Sequence, residues 1–300
     1  MIFVVGHTAV DHICSVSHLP GPNASASVFD RTIAFGGGAA NIAVGIALLK
    51  GKVSLVSAVG GDFADSEYDK RMKELGINQQ FFIEPAKHTA TAFMFTDPEK
   101  NQMTYFEWGA STLFATENAP SLPFVHMATA DPVFNLKVAR QKTGFASFDP
   151  GQDLHRYTAA HLEEMFQYID LLIANHHEYA GMCTTLGIDR EKLISRVPMA
   201  IETRGGEGCI LCNNGKEIFI PAIKVNCLDP TGAGDAFRAG FLTSYAAGYS
   251  LEDSCRIGSV TASFVVETQG CQTGLPDWGS LVRRYEDTTG QFPSHGPART

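Results

Sequence analysis

The sequence predicts an α/β fold in which a largely parallel sheet is covered by helices and carries a small β-sheet lid. Short apolar, strand-like runs alternate with helical patterns through most of the 300 residues, the alternation expected of parallel strands joined by helical crossovers. Two segments, Pro20 to Phe35 and Thr89 to Trp108, break that pattern and read as exposed β structure inserted between the α/β units.

The first run, Ile2–Val5, follows no basic region and is too short for a secretion signal, so it reads as a buried strand. Val53–Ala58, Ala146–Asp149, Leu171–Asn175 and Met199–Thr203 repeat the pattern. Sites in such sheets gather at the carboxyl ends of the strands, which puts Asp149, Asn175 and Thr203 on one functional rim. In the second inserted segment Phe93 and Phe95 alternate with smaller residues, Asp97–Asn101 turns the chain, and Phe106 and Trp108 lie on a return strand. This predicts an antiparallel hairpin with an aromatic face. The stretch from Asp287 to Thr300 is polar, rich in Gly and Pro, and expected to be loose.

A net charge of −9 with no basic face disfavours a nucleic-acid polymer as partner. No apolar run approaches the ~20 residues that span a bilayer. The 7 scattered cysteines predict free thiols in a reducing cytoplasm. Cys209 and Cys212 form a CxxC, but on a strand residues three apart point to opposite faces and cannot share a metal.

The chemistry concentrates in Asp229-Pro-Thr-Gly-Ala-Gly-Asp235 and the amphipathic stretch that follows through Phe241 and Tyr245. That spacing puts Asp235 in the first turn of a helix, with the Gly232, Ala233 and Gly234 amides aimed beyond its N-terminus as an anion site. A carboxylate beside an anion site suits a base that deprotonates a hydroxyl while the amides hold the phosphoryl group under attack. A simple acidic cap would need neither both glycines nor Asp229. Arg238 follows one turn later; it either meets the phosphoryl group or acceptor, or forms a surface ion pair.

No GxxxxGK[ST] motif is present, and Gly36-Gly37-Gly38-Ala-Ala-Asn41 lacks the last glycine of a dinucleotide fingerprint. Asn41 at a helix start, with Asp11 after the first strand, would suit a vicinal diol; either could instead be a cap or turn residue. Asn175 and Glu178, three apart past a strand end, could share a helix face and hold hydrated Mg²⁺. Thr203-Arg-Gly205-Gly-Glu-Gly208 is a second glycine-rich turn suited to nucleotide phosphates.

Together and in this order, these motifs resemble the ribokinase-like (PfkB) family of carbohydrate and nucleoside kinases. The GGxxxN of Gly36 to Asn41, Val59-Gly-Gly-Asp62, the NxxE of Asn175 to Glu178, the TxGxxG of Thr203 to Gly208 and the DxxGAGD of Asp229 to Asp235 carry the resemblance. It implies a three-layer α/β/α domain over about residues 1–286, with lid segments at about 12–35 and 88–110 and a tail at 287–300. It implies Asp235 as base and Gly232, Ala233 and Gly234 as anion hole. Asp11, Gly36, Gly37 and Asn41 would bind the acceptor, and Asn175, Thr203, Gly205, Gly208 and Thr231 would bind ATP. Mg²⁺ would be organised by Asn175 and Glu178. A monovalent cation, K⁺, would sit at Asp229, Thr231, Val265, Thr268 and Gly270.

Within the family the chain looks most like archaeal nucleoside kinases, through Val5-Gly-His-Thr-Ala-Val-Asp11, Trp108-Gly-Ala110, Asp149-Pro-Gly-Gln-Asp-Leu154 and Gly270-Cys-Gln-Thr273. Gln152 stands where many sugar kinases of the family carry Arg or Asn nearby, so it joins the acceptor set. Flat rings at Phe93, Phe106 and Trp108 would enclose a base, or pack the lid on a second subunit as a homodimer. The resemblance implies phosphorylation of a nucleoside 5′-hydroxyl. A free-sugar kinase and a non-catalytic nucleoside sensor remain as alternatives.

Overall fold

A computed structural model describes residues 1–99 and 101–299. The chain starts with β1 (Ile2–Val5), enters the lid through β2 (Ala9–Val16) and β3 (Val28–Gly36), and returns through α1 (Gly38–Leu48) to β4 (Val53–Gly60), α2 (Glu67–Glu74) and β5 (Asn78–Glu84). A second excursion, β6 (Ala90–Thr96) and β7 (Gln102–Glu107), completes the lid. Regular alternation follows: β8 (Phe124–Met127), α3 (Pro132–Gln141), β9 (Phe145–Phe148), α4 (Ala159–Tyr168), β10 (Leu171–Asn175), α5 (His176–Leu186), α6 (Arg190–Ile194) and β11 (Met199–Thr203). A hairpin, β12 (Gly208–Asn213) and β13 (Lys216–Pro221), precedes α7 (Ala233–Ala247), α8 (Leu251–Val265) and α9 (Trp278–Thr289).

The main sheet has 9 strands in the order β13-β12-β11-β10-β9-β8-β1-β4-β5, parallel except for the β11-β12-β13 edge. Adjacent residues of one strand feed opposite layers. Val4, Leu55 and Ile173 pack with Ile42, Phe237 and Phe241 of α1 and α7. Val5, Val56 and Leu172 pack with Phe134, Leu162 and Met182 of α3, α4 and α5. Burial on both faces is why these strands are apolar without alternation.

The lid sheet runs β3-β2-β6-β7, with β2 and β6 parallel and the outer pairs antiparallel. Its register decides which rings face the site. Asp11 pairs with Ala92 and Ala92 with Phe106, whereas His12 pairs with Phe93 and Phe93 with Tyr105. Paired residues share a face, so Phe93 lies on the side away from Asp11 and Phe106, its ring tilted against His12 at 5.0 Å. The expected single aromatic face is therefore split, and Phe93 leaves the acceptor set. Lys100, in the expected turn Asp97–Asn101, lies outside the described residues; Asp97 Oδ1 accepts from the Asn101 amide at 2.9 Å.

The expectation of a loose tail from Asp287 also changes. Helix α9 continues to Thr289, the Phe292 ring packs against Tyr249, Trp278 and Tyr285, and Arg299 stacks on Tyr245 while donating to the Tyr245 and Tyr249 carbonyls. Beyond Thr289 the described residues have no regular structure and are mostly exposed, held at the half-buried Phe292 and at Arg299. Among the described residues, no helix is long and apolar enough to cross a membrane, and all seven cysteines are free.

Candidate active site

Gly232 sets the entry to α7. Its backbone is left-handed, at φ 81°, and a side chain there would press into the main chain of Cys271, so only glycine fits. The turn folds the Ala233 amide back to the Pro230 carbonyl at 3.2 Å and the Ala236 amide to Gly232 at 2.9 Å. The Gly232, Gly234 and Asp235 amides have no hydrogen-bond partner among the described residues. Of the three amides expected to form an anion hole, that of Ala233 is engaged, while the Asp235 amide is free beside those of Gly232 and Gly234 at the positive end of the helix.

Asp235 sits on that first turn. Its Oδ2 accepts from Asn41 Nδ2 at 2.9 Å. Burial raises its pKa to about 6, against the pull of Arg238 and Asn41. One turn on, Arg238 is only 6% exposed, which excludes a surface ion pair. Its Nη2 lies 2.7 Å from Asp149 and 3.8 Å from Glu178, and its Nη1 3.8 Å from Asp235. Asp149, just past β9, also accepts the Gly151 amide at 3.0 Å. Burial pushes the Asp149 carboxyl up, with Arg238 opposing. Burial and then Asp149 raise Glu178 to about 7. Asn175 and Glu178 form a reciprocal cap at the start of α5: Asn175 Oδ1 accepts the Glu178 amide at 2.9 Å and Glu178 Oε2 the Asn175 amide at 2.7 Å.

Across the cleft, Asp11 lies on β2, raised to about 7 by burial and by Asp235. The glycine run explains itself locally. A side chain at Gly36 would occupy the place of the Asp11 carboxylate, and one at Gly37 (φ +91) would strike the backbone at His7. Asn41 uses both ends of its amide, giving Nδ2 to Asp235 and accepting Gln272 Nε2 on Oδ1 at 2.9 Å. Both ends of the Asn41 amide are therefore already engaged by protein groups. Asp11, Asn41, Phe106, Trp108, Gln152, Asn175, Glu178, Thr231, Asp235 and Arg238 line one cleft of about 750 Å³. His7 lies beneath the lid strand, 4.9 Å from the Phe106 ring and 4.7 Å from Trp108, bonded to Ser111 and Asp153.

Other expected residues stand apart. Thr203 is in register with Asn175, but neither it nor Gly205 or Gly208 lines the cleft. Gly208 is required by the hairpin, since a side chain would collide with the Ile220 carbonyl. Asp229 laces two loops together: Oδ1 accepts the Thr231 amide at 2.9 Å and Oδ2 the Gly270 amide at 3.3 Å. The Val265 carbonyl already accepts the Thr268 amide at 3.1 Å. Sequence reasoning missed His7, Asp153 and Gln272 as site residues and placed Asp149 only on the rim. Among the described residues no three His, Cys, Asp or Glu side chains converge on a metal position. The hard oxygen donors of Glu178 and Asn175 fit a cation that keeps most of its ligands from water and phosphate, as Mg²⁺ does.

A model of the pfkB family carbohydrate kinases matches residues 1–278. The chain belongs to this family. It is a phosphotransferase acting on an alcohol. The chain is similar to the nucleoside kinase of Methanocaldococcus jannaschii, 43% identical over 95% of this chain and 96% of that protein. The crystal structure of the M. jannaschii nucleoside kinase superposes with a TM-score of 0.90 at 42% identity, covering 95% of this chain and 98% of that one. The Methanothermobacter thermautotrophicus nucleoside kinase is 41% identical, covering 97% of both. A Burkholderia thailandensis nucleoside kinase in complex with inosine superposes with a TM-score of 0.90 at 27% identity over 99% of each chain. The α7 N-terminus with Asp235 lies in the same cleft as Asp11, Phe106 and Trp108.

Proposed function

We propose that this pfkB protein is a nucleoside kinase that transfers the γ-phosphoryl group of ATP to the 5′-hydroxyl of a purine or pyrimidine ribonucleoside. The observation that carries the reading is one cleft joining Asp235 and free helix amides to Asp11 and the Phe106–Trp108 wall. A bare sugar is held by hydrogen bonds, whereas a base gains from flat apolar walls. The likeness to a nucleoside kinase solved with inosine supports this acceptor class.

Asp235 Oδ1, free of hydrogen bonds while Oδ2 holds Asn41, takes the hydroxyl proton late, as the loose transition state develops. The Gly232, Gly234 and Asp235 amides stabilise charge on the phosphoryl oxygens. Asp11, with Gly36 and Gly37 making room, orients the ribose, and Gln152 meets the acceptor at the rim. Asn175, Thr203, Gly205, Gly208 and Thr231 bind ATP. Mg²⁺, held by Asn175 and Glu178 when bound with the nucleotide, neutralises phosphate charge. A monovalent cation such as K⁺ would be held near Asp229, Thr231, Val265, Thr268 and Gly270. Lid closure over residues of about 12–35 and 88–110 excludes water from this single domain. The free thiols suit the reducing cytoplasm, and the outer lid face suits a homodimer.

A coupled ATP-consumption assay across nucleosides, ribose and fructose tests the acceptor. Nucleosides should lead; faster turnover of a free sugar would overturn the reading, and nucleoside binding without ADP production would make the protein a sensor. Asp235→Asn should lower kcat by ~10²-fold or more, the scale of general-base catalysis, and near-normal turnover would remove Asp235 from the base role.

A further inference from the structure

Behind the cleft, a chain of hydrogen bonds leads away from Asp235. Asn41 gives Nδ2 to Asp235 Oδ2 at 2.9 Å and accepts Gln272 Nε2 on Oδ1 at 2.9 Å. The same Gln272 Nε2 donates to the Tyr68 hydroxyl at 2.8 Å, and that hydroxyl donates to the Gly36 carbonyl at 2.9 Å. Asn41, Tyr68 and Gln272 are buried, and the Tyr68 ring stacks on Phe35 at 4.3 Å. The Gln272 Oε1 atom is buried with no partner.

Every group in this chain but one can reverse. Amides can flip, a hydroxyl can donate or accept, and a carboxyl can carry a proton. The Gly36 carbonyl can only accept. Because it accepts, Tyr68 must donate to it and is left to accept from Gln272. Gln272 then presents Nε2, at the cost of an unpartnered Oε1. Asn41 in turn must receive on Oδ1 and present Nδ2 to Asp235. We propose that Tyr68 and Gln272 are positioning residues that lock the Asn41 amide with its N–H toward Asp235, holding that carboxylate in the ionised form a base requires. With the sequence reversed, Asn41 would face Asp235 with Oδ1, an arrangement satisfied only by a protonated carboxyl.

The relay rests on the reading of Asp235 as base. Asp235 also faces Asp11 from β2, Asp149 past β9, Glu178 of α5, Cys271 beside Gln272 and Arg238 on its own helix. A substitution that adds charge would mix with these. Gln272→Met is neutral, similar in length and cannot donate. Tyr68→Phe removes only the anchoring hydroxyl and keeps the ring stack.

The test compares kcat, KM and the pH profile of kcat for wild type, Gln272→Met, Tyr68→Phe and Asp235→Asn, with thermal unfolding of each. Turnover requires ionised Asp235, so a higher pKa moves the acid limb of kcat to higher pH. Gln272→Met should shift that limb upward by about one unit and lower kcat below it about tenfold, with KM for ATP unchanged. Tyr68→Phe should shift it the same way by less. Folded variants with the wild-type limb would overturn the relay, and if Gln272→Met fails to fold, Tyr68→Phe decides alone. An active Asp235→Asn would overturn the base itself; an inactive one beside unshifted relay variants would overturn the relay only.

Discussion

The floor of the cleft and its lid are built on opposite principles. The floor interlocks buried charges from distant segments: Arg238 on α7 meets Asp149 past β9, Glu178 on α5 and Asp235 on its own first turn. The lid presents Ala92, Met94, Thr104 and Phe106 inward along two paired strands, with Asp11 as its buried charge. Removing one buried partner leaves others unpaired, whereas trimming an apolar wall removes contact area. Floor substitutions should therefore damage fold and turnover together, and lid substitutions should move affinity.

The hardest test of the floor is Arg238→Met. Asp149 and Glu178 would lose their cation, and breaking a buried pair costs about 3–5 kcal/mol. Burial already holds Asp149 high, and Glu178 near 7, so both can take up protons as the pH falls. The deficit in urea unfolding should be largest near about pH 8 and shrink toward about pH 5. A variant as stable as wild type at the higher pH would break the contrast.

How much of this was legible follows the same division. Apolar runs located the main strands, and Gly-Ala-Gly-Asp located the helix start, because both signals are local. The partnership of Gln272 with Asn41 spans 231 residues, and no spacing in the sequence announces it. Phe93 misled because hairpin face depends on register across the turn: Phe106 sits opposite Ala92, not Phe93. Helical spacing put Arg238 beside the phosphoryl group or acceptor, or in a surface ion pair, and carried no sign of its buried contact with Asp149.

Asp11→Asn probes the one carboxylate shared between lid and floor. Its pKa rises from 3.8 unfolded to about 7 folded, so the native state binds the extra proton between those values. Wild-type stability from this group is full at low pH and is lost as pH rises through about 7. The asparagine variant should match wild type near about pH 4 and gain at most about 4 kcal/mol above pH 7, three pK units at 1.36 each. KM for the acceptor should rise at the same time. Equal stability of the two proteins at every pH would show that Asp11 is not strained by burial. Just past the last lid strand, Trp108→Ala should raise the nucleoside KM by about 3–10-fold, the worth of an aromatic contact, with kcat little changed. Trp108→Phe should recover most of it. A kcat loss larger than the KM rise would move Trp108 to the floor's side of the comparison.

The smallest effect on chemistry belongs to the face of the lid turned from the cleft. Ile33, Met103 and Tyr105 are 56%, 38% and 58% exposed and, through their pairing with His12, Phe95 and Phe93, share the face of the lid sheet opposite Asp11 and Phe106. Apolar side chains in such number on one sheet face are poorly served by water, and covering them with the same face of a second copy would bury them twice over. If the proposed homodimer forms through this face, Ile33→Asp should shift sedimentation from dimer to monomer and leave kcat close to wild type, because the inward register is untouched. A dimer that survives the aspartate would place the interface elsewhere. A monomer with lowered kcat would mean that pairing also stiffens the inner face, which would tie the two halves of the comparison together.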